Sequence, residues 1–296
     1  MKNGLSFDVE DSHQLTYLEL TGQLIASSKQ VVVSVEKILE ILANNRVRAT
    51  FNILGLVAEA FPELIRRIHT EGHELGSHGY HHIPIRKQNP EEFIQDLKES
   101  LALLEQITGS KVKGYRAPDW LTMRQELWIT KILAKQGLDY DSSILPIKNV
   151  SPAALFAPRQ PYLLTKGPDS RLIELAPCVG RFAGCFIPLA RGRYLRLVPY
   201  WLIKRMIKKM NKEGIPAIID IHSYEFDPVY PSYFWPILGL RPLQIMVSSR
   251  LIRMGRRSVE KKLNTLLHDF EFVPLSEVAA NELNRYFPNS STLGDN

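Results

Sequence analysis

The chain has 296 residues, of which 45% are hydrophobic and 23% are charged. This composition is typical of a soluble globular protein that buries a large core, and a single α/β barrel commonly reaches this length. Two cysteines are too few for a secreted disulfide framework, which excludes that class of small stapled protein.

The net charge of +6 does not by itself predict a nucleic-acid partner. Much of the excess lies in two late stretches, RGRYLRLVPYWLIKRMIKKMNK and SSRLIRMGRRSVEKK. Both have the pattern of a helix with one basic and one apolar face, without basic residues set between stacking aromatics. We therefore expect no nucleic-acid partner.

The start of the chain, MKNGLSFDVED, lacks the apolar segment of a signal peptide. No uninterrupted apolar run of about eighteen residues occurs elsewhere in the sequence. On these grounds we expect a cytoplasmic protein.

The first half of the chain alternates strand patterns with amphipathic helix patterns. The predicted strands are GLSFD (4–8), ATFNIL (49–54), HELGSH (73–78), KGYRAP (113–118) and YDSSI (140–144). The predicted helices cover 34–45, 56–72, 89–109 and 124–137.

The second half continues this alternation after a proline-rich irregular segment at 147–168. It contains a strand at 171–177, a basic helix at 200–212, a strand at 217–222, a long last helix ending near 269, a strand at 270–275 and a short helix. Repeated βα units predict a parallel sheet, here a distorted, incomplete (β/α) barrel of about seven parallel strands. One catalytic domain is expected over 1–285, followed by a disordered tail over 286–296.

Polar side chains stand at the carboxyl ends of several predicted strands, where the active site of a parallel barrel lies. They are Asp8, Glu10, Asp11, His78, His82, Arg116, Asp141 and His222. The two histidines in SHGYHH are four residues apart, which is a spacing of metal ligands. Together these residue types indicate a metal-assisted hydrolase.

Five segments in order, FDVED, SHGYHH, GYRAPDW, YDSSI and IIDIH, resemble the signature segments of the polysaccharide deacetylase family, the NodB-type carbohydrate esterases. The resemblance runs from about Leu5 to Leu275 and is strongest to the branch found in bacterial exopolysaccharide loci that also encode protein-sorting enzymes. It implies hydrolysis of N-acetyl groups from amino sugars, in a polysaccharide or its lipid-linked precursor, with a divalent metal, commonly zinc.

The resemblance also implies roles for the residues near the metal. His78 and His82 match ligand positions, and Asp8 matches the base. Many family members have two adjacent aspartates, but this chain has Asp8, Val9, Glu10, Asp11. A D-x-D arrangement makes Glu10 the third ligand, which we favour narrowly, and Asp11 remains the alternative if a turn directs it inward.

By motif position, Arg116 keeps Asp8 ionised and oriented. Asp141 matches the residue that orients His222, whose imidazolium donates a proton to the leaving amine. The alternative for Arg116 and Asp141 is an ordinary buried ion pair, and for His222 a core histidine.

Three further residues are expected to contact the substrate. The resemblance places the backbone N–H of Asp119 at the oxyanion, although an acidic side chain at this position departs from the family pattern. Trp120 and Ile221 are expected to line the pocket for the acetyl methyl group, with a position in the core as the alternative for both.

Two other functions share these residues. A related amidohydrolase would use the same metal and base on a small or cyclic amide, and a catalytically silent saccharide-binding relative would keep only the fold. An open groove at the strand ends favours a saccharide, and a closed pocket favours a small molecule.

A late segment, PSYFWPILGLRPLQIMVSSRLIRMGRR, combines aromatic and basic residues in a way that suits an anionic membrane surface, such as the inner face of a bacterial membrane. The alternative is a lid packed on the barrel. The residues concerned are Tyr233, Phe234, Trp235, Ile237, Leu238, Arg241, Arg250, Arg253, Arg256 and Arg257.

Overall fold

The computed structural model describes residues 1–23, 25–121, 126–146, 157–165, 171–182, 185–189, 192–227 and 254–287. Most of the aromatic and basic segment that suggested a membrane contact, 228–253, lies outside these residues. Residues 288–296 lie outside them as well, and the last helix ends at Tyr286. No helix in the described ranges is long and apolar enough to span a bilayer.

A curled, open sheet forms the centre of the fold. Seven strands pair in parallel in the order β10-β1-β2-β3-β4-β5-β7, an antiparallel strand β6 follows β7, and β11 pairs with the start of β1. This row confirms the expected incomplete barrel. The strands are β1 Asn3–Val9, β2 Thr50–Ile53, β3 Glu74–Ser77, β4 Gly114–Tyr115, β5 Tyr140–Asp141, β6 Tyr162–Leu163, β7 Ile173–Glu174, β8 Val179–Phe182, β9 Cys185–Pro188, β10 Ile218–His222 and β11 Phe272–Val273.

Helices connect the parallel strands and cover the outer face of the sheet. They are α1 Ser12–Thr21, α2 Gln30–Asn45, α3 Gly55–Ala60, α4 Pro62–Thr70, α5 Pro90–Thr108, α6 Glu126–Lys135, α7 Gly192–Leu197, α8 Tyr200–Lys212, α9 Arg257–Asp269 and α10 Leu275–Tyr286. The helix α5 begins with a capping box between Asn89 and Glu92 and ends at Gly109, whose φ of 70° is left-handed.

Two helix predictions need correction. The segment 56–72 forms two helices, because Pro62 cannot continue a helical hydrogen-bond ladder and drives Phe61 to φ −135°. The last long helix begins only at Arg257, directly after a turn in which Gly255 has a φ of 78°. The helix α1 and the antiparallel hairpin β8–β9 were not predicted from the sequence.

Alternation along the neighbouring strands β1 and β10 separates the core from the site. In β1, Phe7 is fully buried in the hydrophobic core, whereas Asp8 is its neighbour on the opposite face. The register pairs Ser6 with Asp220 and Asp8 with His222. Four polar residues of β1 and β10 therefore line one face of the sheet near its carboxyl end.

Candidate active site

Three side chains form a cluster with metal-ligand geometry. The His82 Nε2 lies 3.0 Å and the His78 Nε2 lies 3.6 Å from the same carboxylate oxygen of Glu10. The ligand atoms of the three residues lie within 4.8 Å of one another, and this is the single such group in the described residues. In tetrahedral zinc sites with bonds of about 2.0–2.1 Å, ligand atoms lie about 3.4 Å apart, so this donor set fits a divalent cation.

The charge of Glu10 also suits a metal. Burial on its own raises the pKa of Glu10, but hydrogen bonds from His78 and His82 lower that pKa well below its usual range, so the carboxylate is ionised. The His78 Nδ1 lies 2.8 Å from the backbone carbonyl of Arg116, which fixes the ring and directs Nε2 toward Glu10. Such an outer hydrogen bond is a regular feature of histidine ligands.

A carboxylate on α5 organises the loop between the two histidine ligands. Asp96 accepts hydrogen bonds from the backbone N–H groups of Tyr80 (2.7 Å) and His81 (3.0 Å), and its Oδ1 lies 2.9 Å from the His81 Nδ1. His81 therefore helps to shape the loop. His82 is held at a φ of 58°, a left-handed conformation that is uncommon for a residue with a Cβ.

Asp11, the alternative third ligand, lies outside the cluster. Its Oδ1 accepts hydrogen bonds from the backbone N–H groups of His13 (2.9 Å) and Gln14 (3.2 Å), and its Oδ2 accepts one from the N–H of Ser28. This is the arrangement of a helix N-cap, here of α1. The Asp11 carboxylate is committed to the backbone, and Glu10 is the carboxylate that lies with His78 and His82.

Asp8 is buried behind the metal cluster, with 1% of its surface exposed, and both of its oxygens accept hydrogen bonds. The Arg116 Nε donates to Oδ2 and the Asn52 Nδ2 donates to Oδ1, both at 2.8 Å. Burial alone raises the pKa of Asp8, but the positive charge of Arg116, with His78 and His222, lowers it below its ordinary value. The expected pairing of Arg116 with Asp8 is thus present.

Asn52 and Asp220 were not recognised from the sequence. Asn52 stands at the end of β2, and Gly76 on the neighbouring strand leaves room for it, since a Cβ there would lie 2.6 Å from the Asn52 Oδ1. Asp220 lies 2.9 Å from the Arg116 Nη2 and accepts a 2.9 Å hydrogen bond from the Ser6 hydroxyl. A charged residue two positions before His222, on the same face of an apolar strand, is the signal that could have identified Asp220.

Asp8 and Asp220 both lie beside Arg116, but their pKa values shift in opposite directions. Burial raises the pKa of Asp220 well above its usual value, and the negative charge of Asp8 raises it further, while Arg116 opposes the shift. The pKa of Asp220 is thus raised while that of Asp8 is lowered, so Asp8 is the more readily ionised of the two. Of these two carboxylates, Asp8 has an oxygen 3.9 Å from the His222 Nε2.

His222 lies across the site from Arg116 and reaches the surface. Its Nε2 is 3.9 Å from Asp8 and 3.8 Å from Glu10, its ring stacks on Tyr224, and 20% of its side chain is exposed. Burial lowers the pKa of His222, although Glu10 and Asp8 raise it in part.

Asp141 does not orient His222, which corrects the role expected from its motif position. It is buried on β5, where its Oδ1 accepts a hydrogen bond from the Ser143 hydroxyl. Its strand neighbour is Glu174, and burial raises the pKa of Asp141 to about 7. Among the described residues, His222 makes no contact with Asp141, because four strands separate β5 from β10 in the sheet order.

The three expected substrate contacts have different outcomes. The Asp119 side chain accepts hydrogen bonds from the Ile85 N–H (3.2 Å) and from Arg86 (2.6 Å), and no acceptor for its own N–H lies among the described residues. Trp120 is half-buried, with the Arg116 guanidinium 4.3 Å from its ring centroid. Ile221 is fully buried in the core on the opposite face from Asp220 and His222, so it cannot line the substrate pocket.

Two family models match the chain. Residues 29–136 match the model described as Polysaccharide deacetylase, and residues 142–280 match the Domain of unknown function (DUF3473). Together they cover most of the chain. The chain therefore carries a polysaccharide deacetylase domain, the family that its sequence segments resemble.

Individual relatives agree with this assignment. A peptidoglycan-N-acetylglucosamine deacetylase of Bacillus cereus is 35% identical over 96 residues, or 32% of this chain and 35% of that protein. A chitooligosaccharide deacetylase of Bradyrhizobium sp. is 32% identical over 105 residues, or 34% of this chain and 45% of that protein. The chain spans about a third of the length of the first curated relatives it matches.

A solved structure extends the likeness to the whole fold. The crystal structure of a candidate polysaccharide deacetylase from Mycobacterium smegmatis matches with a TM-score of 0.67 at 21% identity, covering 99% of this chain and 93% of that one. At this identity the likeness concerns the fold.

Proposed function

We propose that the protein removes N-acetyl groups from N-acetylated amino sugars, in a polysaccharide or in its lipid-linked precursor, and that it depends on a divalent cation, preferentially zinc. The observation that carries the proposal is the cluster of Glu10, His78 and His82 beside Asp8 and His222 at one end of the sheet. Named relatives with this activity support it.

The metal cluster accounts for one part of the chemistry. A cation held by Glu10, His78 and His82 would supply Lewis acidity, polarising the amide carbonyl and making a bound water easier to deprotonate. The remaining steps belong to the side chains and backbone of this chain.

Asp8 suits the role of general base because Arg116 and Asn52 keep it ionised and fix both of its oxygens. It would accept the proton of the attacking water. The N–H of Asp119, which has no acceptor in the described residues, would donate to the oxygen of the tetrahedral intermediate.

His222 would complete the reaction by protonating the leaving amine. Because burial lowers its pKa, His222 is mostly neutral near pH 7 and must gain a proton before it can give one. Asp8 lies 3.9 Å away and would hold the proton taken from water. This proton would pass from Asp8 to His222 and then to the amine nitrogen, which returns both residues to their starting states.

The experiment is the incubation of metal-reconstituted protein with short N-acetylglucosamine oligomers, followed by assay of acetate and of free amines. Equal amounts of both products are expected, with loss of turnover after chelation. Binding of oligomers without acetate release would favour the catalytically silent relative. Hydrolysis of cyclic amides such as hydantoins, without release of acetate from any sugar, would favour the small-amide hydrolase.

A further inference from the structure

The helix α8 presents one face composed of a tryptophan and five cations. Trp201, Lys204, Arg205, Lys208, Lys209 and Lys212 follow one another at helical spacing and line a shallow surface groove. The opposite face is buried in the core through Leu202, Ile203, Met206, Ile207 and Met210. Packing of α8 on the protein therefore uses its apolar face and leaves the basic face outward.

Most of this charge is not neutralised within the described residues. Lys204 pairs with Asp269 at 2.6 Å, and Lys209 lies 3.9 Å from Glu213. The other three cations of the face have no carboxylate within 4 Å in the described part of the chain; they are Arg205, Lys208 and Lys212. The face is consequently a concentrated positive patch.

Exposed apolar side chains accompany the cations. Trp201 is 60% exposed, and Leu197, the last residue of α7, is 49% exposed. Met254 is 52% exposed and adjoins Gly255, which packs against Arg196 of α7. A soluble polyanion would pair with the cations alone, whereas the interface of an anionic bilayer accepts cations and an aromatic ring together.

We propose that the basic face of α8 docks on an anionic lipid bilayer, with Trp201 at the depth of the headgroups and the lysines against lipid phosphates. We choose this partner because the negative lipid phosphates complement the cations of the face. The surface is distinct from the late aromatic segment considered from the sequence, and it is independent of the hydrolytic activity.

The carboxyl end of α8, which carries Lys208 and Lys212, and Asp8 lie at opposite ends of β1. Near the end of α8, Asn211 exchanges side-chain hydrogen bonds with Asn3, the first residue of β1, while Asp8 lies near the last. A strand rises about 3.3 Å per residue, so Asn3 and Asp8 are about 16 Å apart along β1. Substitution of Lys208 and Lys212 should thus leave hydrolysis of a soluble oligomer unchanged.

The test is flotation of the full chain with vesicles rich in phosphatidylglycerol, at low and at high salt, against vesicles of phosphatidylcholine alone. Each nearby cation contributes about 1 kcal/mol, so Lys208→Gln with Lys212→Gln should weaken partitioning on the order of 30-fold. The matched control is Lys131→Gln with Lys135→Gln, which removes two exposed lysines from α6 and should weaken binding much less.

Fluorescence quenching tests the position of Trp201 separately. Brominated lipids should quench part of the tryptophan fluorescence in bound wild type, and Trp201→Phe should remove that part. No binding by the wild type, equal loss in both lysine pairs, equal binding to phosphatidylcholine vesicles, or quenching unchanged by Trp201→Phe would each overturn the proposal. Retention of dextran sulfate in place of the vesicles would identify a polyanion site and overturn it as well.

Discussion

At the residue scale, the reactivity of the site depends on how Asp8 is held. Arg116 binds Asp8 and Asp220 with different nitrogens, donates to the Ser142 carbonyl at 2.6 Å, and lies over Trp120. Such a guanidinium cannot shift without breaking several contacts at once. It therefore fixes the position of the base as well as its charge.

Asn52→Ala should slow turnover by about ten- to a hundredfold. The substitution removes a hydrogen bond to a charged group, worth about 1.5–3 kcal/mol, from the oxygen that Arg116 does not hold. Metal affinity should be unchanged, because Asn52 contacts none of the three ligand side chains. Steady-state assay of acetate release beside a metal titration gives the answer.

The control for Asn52 is Asn45→Ala, which removes an amide that bonds to Ile41 and Asn264 at the end of α2. Its turnover should match wild type. If both variants were equally slow, positioning of Asp8 would not be the cause.

At the element scale, the connection between β3 and α5 carries His78 and His82, the two proposed histidine ligands. Asp96 on α5 holds this connection through two backbone N–H groups and the ring of His81. Gly79, within the same loop, has a φ of 74° and packs against the Asp96 carboxylate. The helix thus determines the loop shape that aims His78 and His82 at Glu10.

Asp96→Ala should weaken binding of the divalent cation by about 10- to 100-fold, the usual effect of losing an outer-shell partner. Isothermal titration with zinc measures the change. Glu99→Ala removes an exposed carboxylate from the same helix and should bind zinc like wild type. Unchanged affinity in Asp96→Ala would mean that the loop holds its shape without this carboxylate.

A buried histidine directly before β3 should make stability depend on pH. His73 accepts a hydrogen bond from the Ala49 N–H at Nδ1 (3.3 Å), and burial lowers its pKa below the ordinary 6.5. Above pH 6.5 it is neutral in the folded and unfolded states. As pH falls from 6.5 toward the lower folded pKa, the unfolded state gains the proton first, so stability is lost.

Urea unfolding of wild type and His73→Gln between pH 7.5 and about 5 measures this effect. The wild type should lose more free energy of unfolding over this range than the variant. His69→Gln alters a more exposed histidine that contacts Ser110 and should behave like wild type. Parallel pH curves for wild type and His73→Gln would contradict the assignment.

The elements and the site were predictable from the sequence to different extents. Periodicity located the parallel strands, and strand ends located the metal cluster, because carboxyl ends of parallel strands meet. The prediction that Ile221 lines the substrate pocket was wrong. Its neighbours Asp220 and His222 face the site, so the alternation of the strand directs Ile221 into the core. The prediction that Asp141 orients His222 was wrong because it rested on motif position alone, and a motif does not give the distance between two side chains.

Other features left no usable pattern in the sequence. Asp11 is the N-cap of α1, but an aspartate at this position could equally be a metal ligand. Its hydrogen bonds to the backbone, which the sequence does not show, distinguish the two roles. Asn52 and Asp96 are polar residues of common type in ordinary positions. Only the three-dimensional fold brings them to Asp8 and to the histidine loop.

At the scale of the whole molecule, the metal cluster joins distant parts of the chain. Glu10 follows the central strand, and the two histidines follow a strand two places away in the sheet. A cation bound only by the folded state stabilises it by about 2.7 kcal/mol at a concentration 100 times its dissociation constant. The fold and the site should therefore be coupled through the metal.

Addition of zinc should raise the free energy of unfolding of the wild type, and Glu10→Gln should abolish this increment. Asp11→Ala should behave differently, losing about 1 kcal/mol with or without metal because α1 loses its cap, while keeping the zinc-dependent increment. Chemical denaturation with and without zinc measures both. Loss of the increment in Asp11→Ala and its retention in Glu10→Gln would exchange the two assignments.

The most direct test of the central claim compares acetate release by wild type and Asp8→Asn at equal, measured metal content. An amide at this position keeps the shape but cannot accept the proton of water, so zinc content should stay the same while turnover of N-acetylglucosamine oligomers falls by about 10² to 10⁴. Turnover by Asp8→Asn equal to that of wild type, with the metal retained, would contradict the account.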